Sequence, residues 1–319
     1  MWLCLVFLLA DSFQDLRSGL IALNQNNLAV AQSKLEAASL EMPSDARVWM
    51  ALAQTYWKLH QTGKAEAAAD RAASLAKDAA LLDSLGLFYA QSGSFDKAAT
   101  SLRAAIESNR FEERYYFDLA DLYLKRQQFS AALEALEPGR RIFSRSAQLE
   151  LAAGVAYYGL RRFPEAIDAF LRTIGIDPTV EQPYVFLGRM LEQAEGRLPK
   201  IRGAFAAFVQ RAPRSYLSNF EYAKLLALDS PAEAEPFLRK SIALDGRFPD
   251  SHFELGVLLD RQRHYPEAAR EMEHAAELDP ADPVPHYRLA RLYDRLGEPA
   301  KAASERALHR KLSAAAAPR

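Results

Sequence analysis

Apolar residues return along this chain every three or four positions, over stretches of roughly a dozen residues, which is the spacing that draws an apolar stripe down one side of an α-helix. Trp49, Leu52, Ala53 and Tyr56 form one such stripe, and Leu82, Leu85, Gly86 and Tyr89 form another. Short polar breaks separate the stripes, and the period never settles to two, so the pattern predicts helices from end to end. The helices come in pairs. A first helix carries a large residue, a Leu-Gly or Leu-Ala pair, and then Tyr or Leu three residues on. A second helix carries an alanine, a large apolar residue four later, and a modest one three after that.

This grammar repeats with a step of 34 residues. Gly154, Tyr157, Ala166, Phe170 and Pro178 mark one copy and Gly256, Ala268, Met272, Ala275 and Pro280 another, and Gly154 lies three such steps from Gly256. The pairs Leu52-Ala53, Leu85-Gly86, Leu119-Ala120, Leu187-Gly188, Leu255-Gly256 and Leu289-Ala290 mark first helices. Ala31, Ala65, Ala98, Ala132, Ala166, Ala234, Ala268 and Ala302 mark second helices. Nine units fit between about Ser12 and Leu312. No helix of this kind buries its stripe alone, so the units must stack. The small residues belong where helices approach closely.

The punctuation agrees. Gly63, Gly93 and Gly297 fall between first and second helices, where glycine tolerates positive φ. Pro43, Pro178, Pro213 and Pro280 end second helices, and Pro249 and Pro283 open first ones. Pro164, Pro266 and Pro299 fall near second-helix starts, where a missing N–H costs little. The sixth unit needs one extra residue near Glu195-Gly196-Arg197, and the seventh is one short near Asp229-Ser230-Pro231.

The large residue, Leu-Gly, Tyr, Ala, aromatic, Ala and Pro series resembles the tetratricopeptide repeat family, in which it is met in order by Trp49, Leu52, Ala53, Tyr56, Ala65 and Ala72, and again by Leu82, Leu85, Gly86, Tyr89, Ala98, Leu102 and Ala105. The resemblance spans nearly the whole chain and is weakest in the first unit, in the fourth after Leu136, and in the seventh. It implies an all-α, right-handed superhelical solenoid of antiparallel helix pairs, with first helices lining a concave groove that takes peptides or partner proteins. Aligned on that frame, the groove face carries Met50, Gln54, Trp57 and Lys58, then Asp83 and Leu87, then Phe117, Asp121 and Lys125, then Leu151, Val155 and Tyr158. Further along come Val185 and Arg189, Phe220 and Lys224, Phe253 and Arg261, and finally Tyr287, Arg291 and Arg295. Aromatic anchors among scattered charges suit a peptide or helix ligand. The Lys, Asn, Asn, Lys, Arg clamp of chaperone-binding members is not reproduced, since its second asparagine position is filled by Ser84, Asp118 or Ala152. Arg288, Arg291 and Arg295 with Lys224 and Arg189 suggest acidic ligands, but Asp260, Asp294 and Glu254 stand close in the frame and favour a solvated, salt-bridged face.

His252 and His286 occupy equivalent positions in adjacent units, in a slot that normally takes a large packing residue, so packing is the expected role and no metal is expected. There is no glycine-rich phosphate loop, Gly-x-Ser-x-Gly elbow, His-Glu-x-x-His or paired-cysteine motif. Carboxylates are expected on solvated faces rather than as an acid/base pair. No catalysis and no cofactor are expected. A formal net charge of -1 over 319 residues, with basic and acidic side chains alternating, argues against nucleic acid as a partner.

Cys4, the only cysteine, lies in the apolar run Trp2 to Leu9, which precedes Ala10, Asp11 and Ser12. The run is too short to span a bilayer. It reads as the hydrophobic part of a secretory signal, which favours export to the periplasm or outside over the cytoplasm. No Lys or Arg precedes it, and an apolar helix capping the first repeat is the alternative. The expected organisation is therefore residues 1–11 as signal or apolar segment, 12–312 as the repeat array and 313–319 as a disordered tail. The last second helix, charged at Lys301, Glu305, Arg306, His309, Arg310 and Lys311, serves as a cap, with self-association expected if Leu308 and Leu312 are left open. The functional expectation is a non-catalytic scaffold or adaptor, with a regulatory or targeting subunit of an enzyme complex as the alternative.

Overall fold

The computed structural model describes the backbone of residues 2–316 and the side chains of residues 13–194 and 196–315. The described residues form eighteen α-helices and no strand, grouped into two compact units, Met1–Arg162 and Phe163–Arg319. The first unit holds α1 (Trp2–Asn24), α2 (Leu28–Glu41), α3 (Ala46–Lys58), α4 (Thr62–Leu75), α5 (Ala79–Ser92), α6 (Phe95–Ser108), α7 (Glu113–Lys125), α8 (Phe129–Ile142) and α9 (Ala147–Gly159). The second holds α10 (Phe163–Ile176), α11 (Gln182–Arg189), α12 (Leu198–Arg211), α13 (Tyr216–Leu226), α14 (Pro231–Leu244), α15 (Pro249–Arg261), α16 (Tyr265–Leu278), α17 (Pro283–Leu296) and α18 (Pro299–Ala316). No helix among the described residues is long and apolar enough to cross a membrane.

Within each unit, consecutive helices pack as hairpins through the stripes that the sequence draws. Leu85 on α5 and Ala98, Leu102 and Ala105 on α6 have no exposed surface. A leucine buried to that extent contributes about 1.5–3 kcal/mol. The recurring small residue has a geometric cause: a Cβ placed on Gly86 would fall 2.5 Å from Leu102 Cγ. The recurring tyrosine has one as well. It reaches from a first helix to a carboxylate on the second helix of the preceding pair, with Tyr56 donating to Glu36 at 2.9 Å and Tyr89 donating to Asp70 at 2.8 Å. Tyr293 donates likewise to Glu273. Burial and the adjacent carboxylate together push the Tyr56 hydroxyl up to about 12, so it remains a donor at neutral pH.

Five first helices, α3, α5, α9, α13 and α17, are started by side-chain caps. Asp45, Asp78, Ser146, Ser215 and Asp282 each accept a backbone N–H from the first turn. A cap of this type stabilises a helix by about 1 kcal/mol. Pro249, Pro283 and Pro299 sit at helix starts as expected.

The structure departs from the sequence reading at three kinds of place. Second helices begin at Leu28, Thr62, Phe95 and Phe129, so the step from Thr62 to Phe95 is 33 and not 34. The missing residue comes from the turn at 76–78, which has three residues where the turns at 42–45 and 109–112 have four. Gly63 lies inside α4, not in a left-handed turn. The positive φ there falls on His60 (59°), as it does on Asn26, Gln127, Arg161 and Arg263 elsewhere, while among the described residues only Gly93 and Gly297 fill such a position with glycine. In the sixth pair, α11 stops after eight residues and two 3-10 turns, Leu191–Gln193 and Glu195–Arg197, take up the extra residue before α12.

At the ends, the side chains of the expected N-terminal segment, residues 1–11, lie outside the described residues. Helix α18 continues past Leu312 to Ala316, Leu308 is exposed, and residues 317–319 lie outside the described residues.

Two substitutions test this account by urea unfolding. Gly86→Leu is expected to destabilise by about 1–3 kcal/mol, because the added side chain overpacks against Leu102. His60→Gly is expected to stabilise by about 1 kcal/mol by removing the Cβ from a left-handed position.

Candidate functional site

The first helices α3, α5, α7 and α9 present the expected groove residues of the first unit in different states. Lys58 and Lys125 are exposed, and Lys125 pairs with Asp121 at 2.6 Å. Trp57, Phe117 and Tyr158 are half-buried, with Trp57 edge-on to Phe88 at 6.0 Å between centroids and Phe117 against the Leu136–Leu149 cluster. Met50 is a correction, being 5% exposed within the core and therefore unavailable to a ligand. A cleft of about 320 Å³ is lined by Leu87, Phe95, Asp118, Asp121, Lys125 and Arg126.

In the second unit, Arg189, Tyr287, Arg291 and Arg295 are exposed and Phe253 is half-buried. Phe220 is a second correction. It is 3% exposed, because its ring packs edge-on against Phe248 at 5.0 Å. Lys224 is mostly covered, its ammonium 5.2 Å above the Phe220 ring. Two clefts share Lys224, Phe253 and Glu254. One, of about 450 Å³, adds Arg189, Arg261 and Arg288, and the other, of about 300 Å³, adds Asp250, Asp279 and Asp282. The expected ion pairing of this face is only partly formed. Arg295 pairs with Asp260 and Arg306 with Asp294, whereas Glu254 has no ion pair among the described residues.

The carboxylates are not all solvated, as the sequence reading expected. Asp83 on α5 is 1% exposed, with one oxygen 3.1 Å from Arg114 and the other unpartnered. Burial and the neighbouring Asp118 charge push its carboxyl up to about 6. Glu221 on α13 is 2% exposed, its Oε2 lacks a hydrogen bond, and Lys224 stands 3.9 Å away. Burial pushes Glu221 up to about 8 against the opposing pull of Lys224 and Arg189. Gly188 makes the space for it, since any Cβ there would collide with the Glu221 carboxylate. Desolvation also raises Asp250 and Glu254.

His252 and His286 do fill the packing slot, each 7% exposed, and each ring also engages a glutamate nineteen residues on: Nδ1 of His252 lies 2.7 Å from Glu271 Oε2, and Nδ1 of His286 2.7 Å from Glu305 Oε2. The hydrogen bond to Glu271 raises the His252 ring above its ordinary value. The glutamate partners were legible only as a His-to-Glu interval repeated in two units. Among the described residues no group of three His, Cys, Asp or Glu side chains converges to hold a metal ion.

Helix pairs repeated at this step, with first-helix side chains lining open clefts, define an all-α repeat protein. The tetratricopeptide repeat model matches residues 16–80, 50–113, 84–137 and 117–181, together just over half of the 319 residues. The chain belongs to the tetratricopeptide repeat family. It is similar to the BBSome complex member BBS4 of Bos taurus, 23% identical over 256 residues that cover 70% of this chain and 49% of BBS4. The chain thus spans about half the length of that relative. Among solved structures, the C-terminal part of a repeat-containing protein from Cytophaga hutchinsonii superposes over 86% of this chain and 99% of its own, with a TM-score of 0.55 at 16% identity. Yeast Tom70 does so over 95% of this chain and 85% of its own, with a TM-score of 0.50 at 14% identity. At such identities the likeness is one of fold.

Glu221 makes stability depend on pH in a defined sense. Its carboxyl holds a proton more tightly folded than unfolded, where the ordinary value is 4.5. Between that value and about 8 the folded state binds more protons, so raising the pH across this window lowers stability. In thermal unfolding from about pH 5 to about pH 8, Glu221→Gln is expected to lose this component, with its melting temperature falling less than that of the wild type. Parallel profiles would show that Glu221 titrates normally.

Proposed function

We propose that the chain is a non-catalytic scaffold or adaptor that holds a peptide, or a segment of a partner protein, against the face formed by its first helices. The observation that carries this reading is the pair of open clefts, one in each unit, lined by side chains from successive first helices. Leu87 in the first unit and Phe253 and Leu228 in the second offer apolar surface, and Lys125, Arg189 and Arg261 stand beside it. Apolar contact supplies binding energy in such clefts, and flanking charges set orientation and discriminate partners. Membership of the tetratricopeptide repeat family supports the same reading.

A second reading is favoured by one observation. The curated relative is named as a member of a complex, and this chain would by analogy be a regulatory or targeting subunit of an assembly whose catalytic part lies on another chain. Both readings place the work in contacts and none in bond making.

The test is a crosslinking pull-down from native cells, with wild type beside a full-length Leu87→Glu, Lys125→Glu, Tyr287→Ala, Arg291→Glu variant whose helical content is checked by circular dichroism. A partner captured by the wild type and reduced at least tenfold with the variant is expected. Equal capture by both would move the contact away from the first-helix face.

A further inference from the structure

We infer that the larger cleft of the second unit is a binding site for an acidic peptide segment, an extended run in which Asp or Glu side chains flank an apolar residue. This deepens the scaffold reading and rests on it. Four cations line the cleft, one from each successive first helix: Arg189 on α11, Lys224 on α13, Arg261 on α15 and Arg288 on α17. Two carboxylates line it as well, Glu192 and Glu254, and Lys224 already faces Glu221 at 3.9 Å, so the positive charge open to a ligand is that of the three guanidinium groups.

Among the described residues none of the three guanidinium groups lies within ion-pair distance of a carboxylate. Arg189 rests over Phe186 at 6.0 Å and Arg288 over Phe253 at 6.0 Å, and Arg261 reaches only the Ala227 carbonyl, at 3.5 Å. This sets them apart from Arg295, Arg306 and Arg239, which are all paired with carboxylates. Guanidinium groups present a planar fork that matches a carboxylate with two parallel hydrogen bonds. Arg189 and Arg288, resting on aromatic faces, are held without spending that fork, and Arg261 spends one N–H on a backbone carbonyl.

The distribution of charge selects the occupant. A single phosphate would be met by cations converging on one point, but here they are spread one per helix along the stack, with two carboxylates among them. A chain of spaced carboxylates meets that arrangement, and Leu228, which is 51% exposed, with Phe253 and Val257 gives the intervening apolar side chain a floor.

The experiment uses the full chain and fluorescein-labelled twelve-residue peptides at low salt, read by fluorescence anisotropy. One peptide alternates Asp and Glu with Leu, and matched peptides carry Gln, Lys or phosphoserine at the acidic positions. The acidic peptide is expected to bind at least tenfold more tightly than the Gln peptide, and the Lys peptide not measurably. Arg288→Glu and, separately, Arg261→Gln are expected to weaken the acidic peptide by tenfold and about threefold. Lys240→Glu, an exposed reversal on the second helix α14, is expected to leave its affinity unchanged. Circular dichroism confirms that each variant folds. Equal affinity for the acidic and Gln peptides, indifference to Arg288→Glu, or an equal loss from Lys240→Glu would overturn the inference. Preference for the phosphoserine peptide with the same dependence on Arg288 would overturn it in favour of phosphate recognition. None of these outcomes touches the scaffold reading, which fails only if partner capture survives loss of the first-helix face.

Discussion

Everything in this molecule depends on the close approach of two helices at one small residue per pair. A leucine such as Leu102 can be fully covered only because Gly86 has no side chain to hold its helix away. Neither helix of a pair has enough apolar surface to stand alone, and each gains its stability from the helix before and the helix after. The tyrosine links add direction to this. By joining a first helix to a carboxylate on the preceding second helix, Tyr56 and Tyr89 fix how far one pair slides over the last. The first-helix faces are then set in order along the stack as a consequence of packing, before any ligand is considered.

That ordering is what turns a structural repeat into a surface with chemistry. Side chains at equivalent positions fall beside one another, so a cation placed on each first helix becomes a row. Carboxylates drawn into the same face are partly desolvated, and Asp83, Glu221, Asp250 and Glu254 all hold their protons more tightly than usual. Burying such groups costs stability, and Gly188 shows that the backbone is shaped to permit it. Helix α13 alone carries two buried side-chain atoms without a hydrogen-bond partner among the described residues, Asn219 Oδ1 and Glu221 Oε2.

The repeat, the helix pairing and most turn prolines were legible because they follow from periodicity and from the backbone demands of single residues. What was not legible depended on the distance to the next repeat. Met50 and Phe220 lie on the face the frame assigns to the groove, yet Met50 is buried in the core and Phe248 covers Phe220. Gly63 drew the expected left-handed turn to itself, while the chain asks His60 to adopt it. The one-residue deletion at 76–78 shows in the sequence only as a 33-residue step from Ala65 to Ala98, because a turn absorbs it without disturbing either stripe. Asp83 and Glu221 read as ordinary surface acids, and only the approach of Arg114 or of the backbone at Gly188 reveals them as buried.

The central claim is that each pair is held by its neighbours. Hydrogen exchange followed by mass spectrometry on wild type and Leu102→Ala tests it most directly. The leucine sits on α6, and its removal is expected to lower amide protection in α5 and α6, less in the flanking α4 and α7, and not at all in α14–α18. Loss confined to the single turn around residue 102, or spread evenly over the whole chain, would contradict the account.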